Sequence, residues 1–222
     1  MATRLTANIP LRIAGIGDSI MVGEFATVKS NSWLEKVIAQ LTTDGYLVNS
    51  TSFAVPGATT QNHLDWRTYD KVNSISPHVI FLALGTNDYG SLGANDTNAN
   101  DKAIIFQTSL QSLVNKLSSD LNRNPFICFV TTWGADSGRV AFDNVIKTVS
   151  LSYGNSVVAD MRPTIVAHYN DGSRAASGIQ TFMGTADGWH PGNVGHNYYY
   201  QTVYSAIQGK LPIATRVAAG RL

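Results

Sequence analysis

Apolar residues follow two rhythms along this chain. Short apolar runs alternate with longer stretches in which apolar positions return every three or four residues. The runs are Leu11 to Gly17, Tyr46 to Phe53, His78 to Leu84, Phe126 to Thr132 and Ser156 to Asp160. A strand covered on both faces needs such a run. Helical periodicity marks Ser32 to Leu41, Asp101 to Leu121, Arg139 to Tyr153 and Asn193 to Ile207. In the first of these, Trp33, Val37, Ile38 and Leu41 share a face, Ser32 and Glu35 have capping-box spacing, and Gly45 offers a stop. The second is expected to pack through Ile105, Leu110, Leu113, Leu117 and Leu121. The third turns Phe142, Val145, Ile146 and Val149 inward and stops at Gly154; the fourth uses Val194, Tyr198, Val203 and Ile207. Residues 89 to 100 read as a polar loop dense in Gly and Asn, and residues 161 to 186 as irregular.

Strand then helix, repeated along the chain, predicts an α/β protein. Its expected form is a three-layer α/β/α sandwich around a parallel five-stranded sheet. No repeat, linker or low-complexity segment interrupts it, so one domain over residues 1–222 is expected. In such a sheet ligands bind beyond the carboxyl ends of the strands. That rule singles out the loops after Gly17, Phe53, Leu84, Thr132 and Asp160.

Composition narrows the function. Hydrophobic residues make up 44% and charged residues 14%, which excludes a disordered or coiled-coil chain. Net charge is +1 with no long run of one sign, so neither nucleic acid nor an anionic membrane is an expected partner. The lone cysteine, Cys128, lies in an apolar run and reads as core. No stretch is apolar enough to span a bilayer, and Met1 to Pro10 lacks the pattern of a signal peptide. The expectation is a soluble protein, cytoplasmic or part of a larger secreted or virion assembly. Oligomeric state stays open.

Three of these strand-end segments, and a fourth near the carboxyl end of the chain, carry chemistry. Gly15-Ile16-Gly17-Asp18-Ser19-Ile20 sets a serine just past a buried strand, where a following helical turn aims N–H groups at an attacked oxygen. It is also ordinary turn chemistry. Gly57, in Ala54-Val55-Pro56-Gly57-Ala58-Thr59, lets a substrate approach the backbone, or simply makes a turn. Asn87, in Leu84-Gly85-Thr86-Asn87-Asp88, offers a side-chain donor to an oxyanion, or forms an Asx-turn with Asp88. In Asp187-Gly188-Trp189-His190-Pro191, a histidine can act as base while an aspartate three residues earlier curls back to orient it.

Together these segments resemble the blocks of the SGNH (GDSL-type) hydrolase superfamily. Gly17-Asp18-Ser19-Ile20 resembles its nucleophile block, Gly57 its second-block glycine, and Gly85-Thr86-Asn87-Asp88 its third block. Asp187-x-x-His190, continued by Pro191-Gly192-Asn193-Val194-Gly195-His196, resembles its last block. The order matches, and the blocks span residues 17 to 196. The resemblance implies a flavodoxin-like fold and a serine esterase that needs no cofactor. It implies Ser19 as nucleophile, His190 as general base and acid, and Asp187 as its orienter. The Ser19 and Gly57 N–H groups and the Asn87 side chain would form the oxyanion hole.

Other residues read more plainly. Asp18 reads as a structural hydrogen-bonder, with substrate contact the lesser reading. His63, His78 and His168 lack ligand spacing, so no metal is expected, and His196 reads as packing or capping. Trp66, Tyr89, Trp133 and Trp189 are candidates to stack on a sugar, with core and rim packing as the alternative. Of these, Trp189 and Tyr89 are carried as substrate contacts. Polar loops, these aromatics and the lack of an apolar lid helix favour short acyl esters, such as O-acetyl groups of carbohydrates. A lipid esterase or thioesterase is the alternative within the class. A carbohydrate- or receptor-binding module that keeps the fold without turnover is the alternative outside it.

Overall fold

Each of the five apolar runs contributes one strand to a single parallel sheet. The computed structural model describes residues 10–119 and 124–211. The strands are β1 (Leu11–Gly17), β2 (Val48–Ser52), β3 (Val79–Ala83), β4 (Phe126–Val130) and β5 (Ser156–Ala159), in the order β2-β1-β3-β4-β5. This is the flavodoxin-like order. Register is set by pairs such as Ile13 with Val79 and Phe81 with Cys128.

Successive side chains on a strand point to opposite faces, and in β1, β3 and β4 both faces are apolar, whereas edge strand β2, expected as a buried run, is polar and mostly exposed. Leu11, Ile13, Val79, Phe81, Phe126, Cys128 and Val130 face one layer, built from α2 (Trp33–Thr43) and α9 (Asn193–Ile207). Ala14, Ile16, Ile80, Leu82, Ile127 and Phe129 face the other, built chiefly from α6 (Ala99–Ser119) and α7 (Arg139–Tyr153). Trp33 and Phe106 anchor the two layers, at 0% and 1% exposure. Cys128 lies in the first layer, and burial pushes its thiol up to about 12.

Several expectations need correction. Ser32 does precede α2, but its side chain makes no cap bond. It packs against Gly23 instead, where a Cβ would stand 2.2 Å from that of Ser32. Ile105 is half exposed, and Phe106 takes the core place. The α6 stripe starts at Ala99 and Ala103 and continues through Phe106, Leu110, Leu113 and Leu117, which leaves Ile105 off the face. Leu121 lies outside the described residues, as do the residues before Pro10. Val194 is exposed, while Gly195, His196 and Tyr199 face inward from α9.

The polar segments hold more structure than their composition suggests. Short helices α3 (Thr60–Asp65), α4 (Thr68–Ser74) and α5 (Thr86–Ser91) follow β2 and β3. The first is capped reciprocally, Thr59 Oγ1 accepting from the Asn62 N–H and Asn62 Oδ1 from the Thr59 N–H. Residues 161–186 hold α8 (Arg162–His168), a π turn over Tyr169–Ser173, and a hairpin of β6 (Gln180–Thr181) and β7 (Gly184–Thr185). Among the described residues no helix is long and apolar enough to cross a membrane.

Candidate active site

Beyond the carboxyl end of β1 the chain turns straight into α1 (Ser19–Val22). Asp18 caps that turn, its Oδ1 accepting from the Ile20 N–H at 3.0 Å. The cap sets Ser19 at the first helical position, at the mouth of the sheet. Ser19 Oγ then lies 2.8 Å from His190 Nε2, across 171 residues of sequence. On the other side of the ring, His190 Nδ1 lies 2.7 Å from Asp187 Oδ2.

A carboxylate oxygen only accepts, so Nδ1 carries the ring hydrogen. That leaves the Nε2 lone pair facing the Ser19 hydroxyl. Asp187 is held by its own loop, Oδ1 accepting from the N–H groups of Trp189 at 2.8 Å and His190 at 3.1 Å. Partial burial raises its pKa, but the two backbone bonds and the imidazole outweigh that and hold the carboxyl below its usual value.

The loop is pinned from several directions. The Trp133 indole donates to the Trp189 carbonyl at 2.8 Å, and the Ala175 N–H donates to the His190 carbonyl at 2.9 Å. Phe25, Ala175 and Ala186 form a small apolar cluster beneath it. Phe25 and Trp189 each meet the His190 ring edge to face, at 5.0 and 4.9 Å between centroids.

The expected oxyanion donors come from the next two strand ends. Gly57 sits in an exposed turn after β2 at φ +76°, with nothing within 4 Å of where a Cβ would stand. The Val55 N–H ties this turn to the Gly17 carbonyl at 3.1 Å. Asn87 lies in the first turn of α5, after β3. Its Nδ2 donates to the Ala58 carbonyl at 3.2 Å and faces Asp18 Oδ2 at 3.5 Å. Asp88 beside it accepts from Gly85 N–H, Thr60 N–H and the Thr60 hydroxyl, joining the turns after β2 and β3.

Asp18 is the structural hydrogen-bonder of its favoured reading, and Tyr89, carried as a substrate contact, is buried. Asp18 is 2% exposed, and burial, reinforced by the nearby charge of Asp88, pushes its carboxyl up to about 7. Tyr89 is 7% exposed, with its ring under the Arg139 guanidinium at 4.3 Å and edge-on to Phe142. Asp18 is spent on capping α1 and Tyr89 on packing. Trp189 is half buried beside His190, as a rim residue would be. Trp133 is 1% exposed, and Trp66 stands on the surface next to His63. His63 is fully buried and bonds the Gly17 carbonyl at 3.0 Å, bracing the end of β1.

Sequence reading missed Glu24. Its Oε2 lies 3.7 Å from His190 Nε2. A glutamate just past the nucleophile turn is the only signal the sequence offered, and the turn that aims it back is a tertiary effect. It missed as well that His196, 0% exposed, donates from Nε2 to the Glu24 carbonyl at 3.3 Å.

These features define a flavodoxin-like α/β protein with serine-hydrolase geometry at the carboxyl edge of its sheet. A family model described as GDSL-like lipase/acylhydrolase matches residues 16–198, and the chain belongs to that family. Its chemistry at that level is esterase or acylhydrolase. Solved structures share the fold. The lipase/acylhydrolase from Enterococcus faecalis is 22% identical with a TM-score of 0.68, covering 91% of this chain and 98% of that one. A catalytic mutant of Axe2, an acetylxylan esterase from Geobacillus stearothermophilus, is 18% identical with a TM-score of 0.68, covering 94% and 97%. The acetyl xylan esterase AlAXEase is 21% identical with a TM-score of 0.64, covering 87% and 98%. No curated protein matches the chain by sequence.

Proposed function

We propose that this chain is a serine esterase that removes short acyl groups, such as acetyl, from carbohydrate hydroxyls. The observation that carries the reading is the continuous relay from Ser19 Oγ to His190 Nε2 at 2.8 Å and from His190 Nδ1 to Asp187 at 2.7 Å. A serine hydroxyl attacks an ester only when a base takes its proton, and this geometry supplies base and orienter together.

The cycle runs in two acyl transfers. Ser19 Oγ attacks the carbonyl carbon while its proton passes to His190 Nε2. Negative charge collects on the carbonyl oxygen, where the Ser19 N–H, the Gly57 N–H and the Asn87 amide, released from its long 3.5 Å contact with Asp18, donate to it. The tetrahedral intermediate collapses and the alcohol leaves with the proton from Nε2. Water then gives its proton to Nε2, attacks the acyl-enzyme and frees the acid and Ser19. Asp187 holds the imidazole in the working tautomer throughout, and no cofactor takes part in these steps.

Support for a short acyl group and a sugar alcohol comes from the rim. The segments around the site are polar, and Trp189 offers an aromatic edge beside the reacting nitrogen. Two of the similar folds are acetylxylan esterases. The test is a panel of p-nitrophenyl esters from acetyl to decanoyl, run beside acetylated xylo-oligosaccharides. Acetyl release is expected to be fastest, and Ser19→Ala to lose about 10⁴-fold or more in kcat with its circular dichroism unchanged. A rate that climbs with chain length to decanoyl would overturn the short-acyl reading. Activity retained by Ser19→Ala would overturn the nucleophile.

A further inference from the structure

Nε2 of His190 is the nitrogen that hands the proton to the departing alcohol, and one carboxylate stands beside it. Glu24 Oε2 is 3.7 Å away, with its side chain 19% exposed. Three contacts fix that position. The Glu24 N–H donates to the Ser19 carbonyl at 2.9 Å. Its own carbonyl accepts from buried His196 at 3.3 Å. The next residue, Phe25, is held at φ +65° with its ring against His190, so the chain turns sharply and sends the Glu24 side chain back toward the reacting atoms.

The carboxylate is not answered by a cation. Among the described residues no lysine or arginine nitrogen lies within 4 Å of it, its one ion-pair contact being His190. Two buried guanidinium groups are engaged elsewhere, Arg139 with Asp136 at 2.8 Å and the Thr86 carbonyl, and Arg162 with Asp143 at 2.7 Å. A leaving oxygen bonded to Nε2 at about 3 Å therefore lies within about 7 Å of an uncompensated negative charge.

We propose that Glu24 is a specificity-determining residue that screens the leaving alcohol by charge, admitting neutral and cationic alcohols and rejecting anionic ones. This rests on the esterase reading above and narrows its substrate class. Esters of neutral sugars pass. Esters whose alcohol carries a carboxylate or phosphate near the ester oxygen, such as uronates and phosphoglycerols, are disfavoured. At this separation in a partly buried site the Coulomb effect is worth about tenfold in rate. Salt weakens it.

The test uses one acyl group on three alcohols: glyceryl monoacetate, acetylcholine and O-acetyl-lactate. Wild type is expected to hydrolyse the first two and to be slow on the third. Glu24→Gln, which keeps size and loses charge, is expected to lower the ratio of kcat/KM for the glyceryl ester over the lactate ester about tenfold. Glu24→Asp, which keeps the charge, is expected to restore most of that ratio, and raised ionic strength to shrink it in wild type and Glu24→Asp but not in Glu24→Gln. If Glu24→Gln changes all three esters by the same factor, Glu24 merely positions His190 and the proposal is overturned. An unchanged ratio overturns it too. Wild type inactive on every ester, or Ser19→Ala as active as wild type, sinks the esterase reading instead.

Discussion

The indole of Trp133, at the end of β4, donates to the backbone carbonyl of Trp189 at 2.8 Å. One hydrogen bond thus ties the buried floor of the sheet to the residue that precedes the proton-carrying histidine. Trp133 is 1% exposed and packs on Tyr169 and Tyr199, so its ring is set by the core. The loop that presents His190 takes its position from a rigid element, as a preorganised site requires.

Trp133→Phe keeps much of the packing and removes the donor. The Trp189 carbonyl is left without this partner, and the loop gains freedom. The expected result is a fall of about tenfold in kcat with KM little changed, since misplacing a reacting group by a fraction of an ångström is costly. Equal kcat in the two proteins would show that the other anchors suffice.

Asp18→Asn probes the buried carboxyl under the nucleophile. Burial raises this group from 3.8 to about 7 in the folded chain. Between those values the native state holds a proton that the unfolded chain has released, so wild type loses stability as pH rises through the window. Asparagine caps the turn as well but does not titrate. The variant should therefore gain on wild type by up to about 1.4 kcal/mol per pH unit between pH 4 and 7. Urea unfolding at several pH values measures it, and parallel stability curves would refute it.

His196 gives the opposite sign. It is wholly buried, and burial lowers its ring from 6.5 to about 4. Protons bind the unfolded chain first as pH falls. The stability this residue contributes is full above 6.5 and is lost progressively down to about pH 4. His196→Gln, which retains a donor for the Glu24 carbonyl, should lack that acid-side loss. Near pH 4 wild type and variant should have drawn together by about 1.4 kcal/mol for each unit below 6.5. No convergence would mean that the ring takes up its proton at little cost.

β1, β3 and β4 were legible because a parallel strand, buried on both faces, writes itself as an apolar run. Residues 79–83 and 126–130 are such runs. α7 and α9 were legible to the residue at both ends, since periodicity and flanking Gly154 and Gly192 agree. The helices of residues 60–74 and 86–91 were not, because they are short, polar and capped by Thr59 or by contacts from distant turns. Ser19, Asp187 and His190 were readable as a set through the order of the motif blocks that hold them. Glu24 was not, because its role depends on Phe25 adopting a left-handed turn, which no local propensity announces. The burial of Tyr89 was not legible, because an aromatic after a strand looks alike at a substrate rim and in the core. Arg139, fifty residues on, covers its ring and buries it.

Asp187→Asn tests the orienting acceptor. In the native loop Asp187 Oδ1 accepts two backbone N–H groups and Oδ2 accepts from His190 Nδ1. Asparagine can keep the backbone bonds with its oxygen, and it then turns its NH₂ toward the ring. Two donors cannot face each other, so the imidazole must carry its hydrogen on Nε2 instead. Nε2 then has no lone pair to take the Ser19 proton. The expected loss in kcat is about 10⁴-fold with the fold intact. Because the hydrogen bonds hold the native carboxyl below its usual value, Asp187 stays ionised into mild acid, and the defect should be as large at pH 6 as at pH 8. A variant within tenfold of wild type at both pH values would show that His190 finds its tautomer without Asp187.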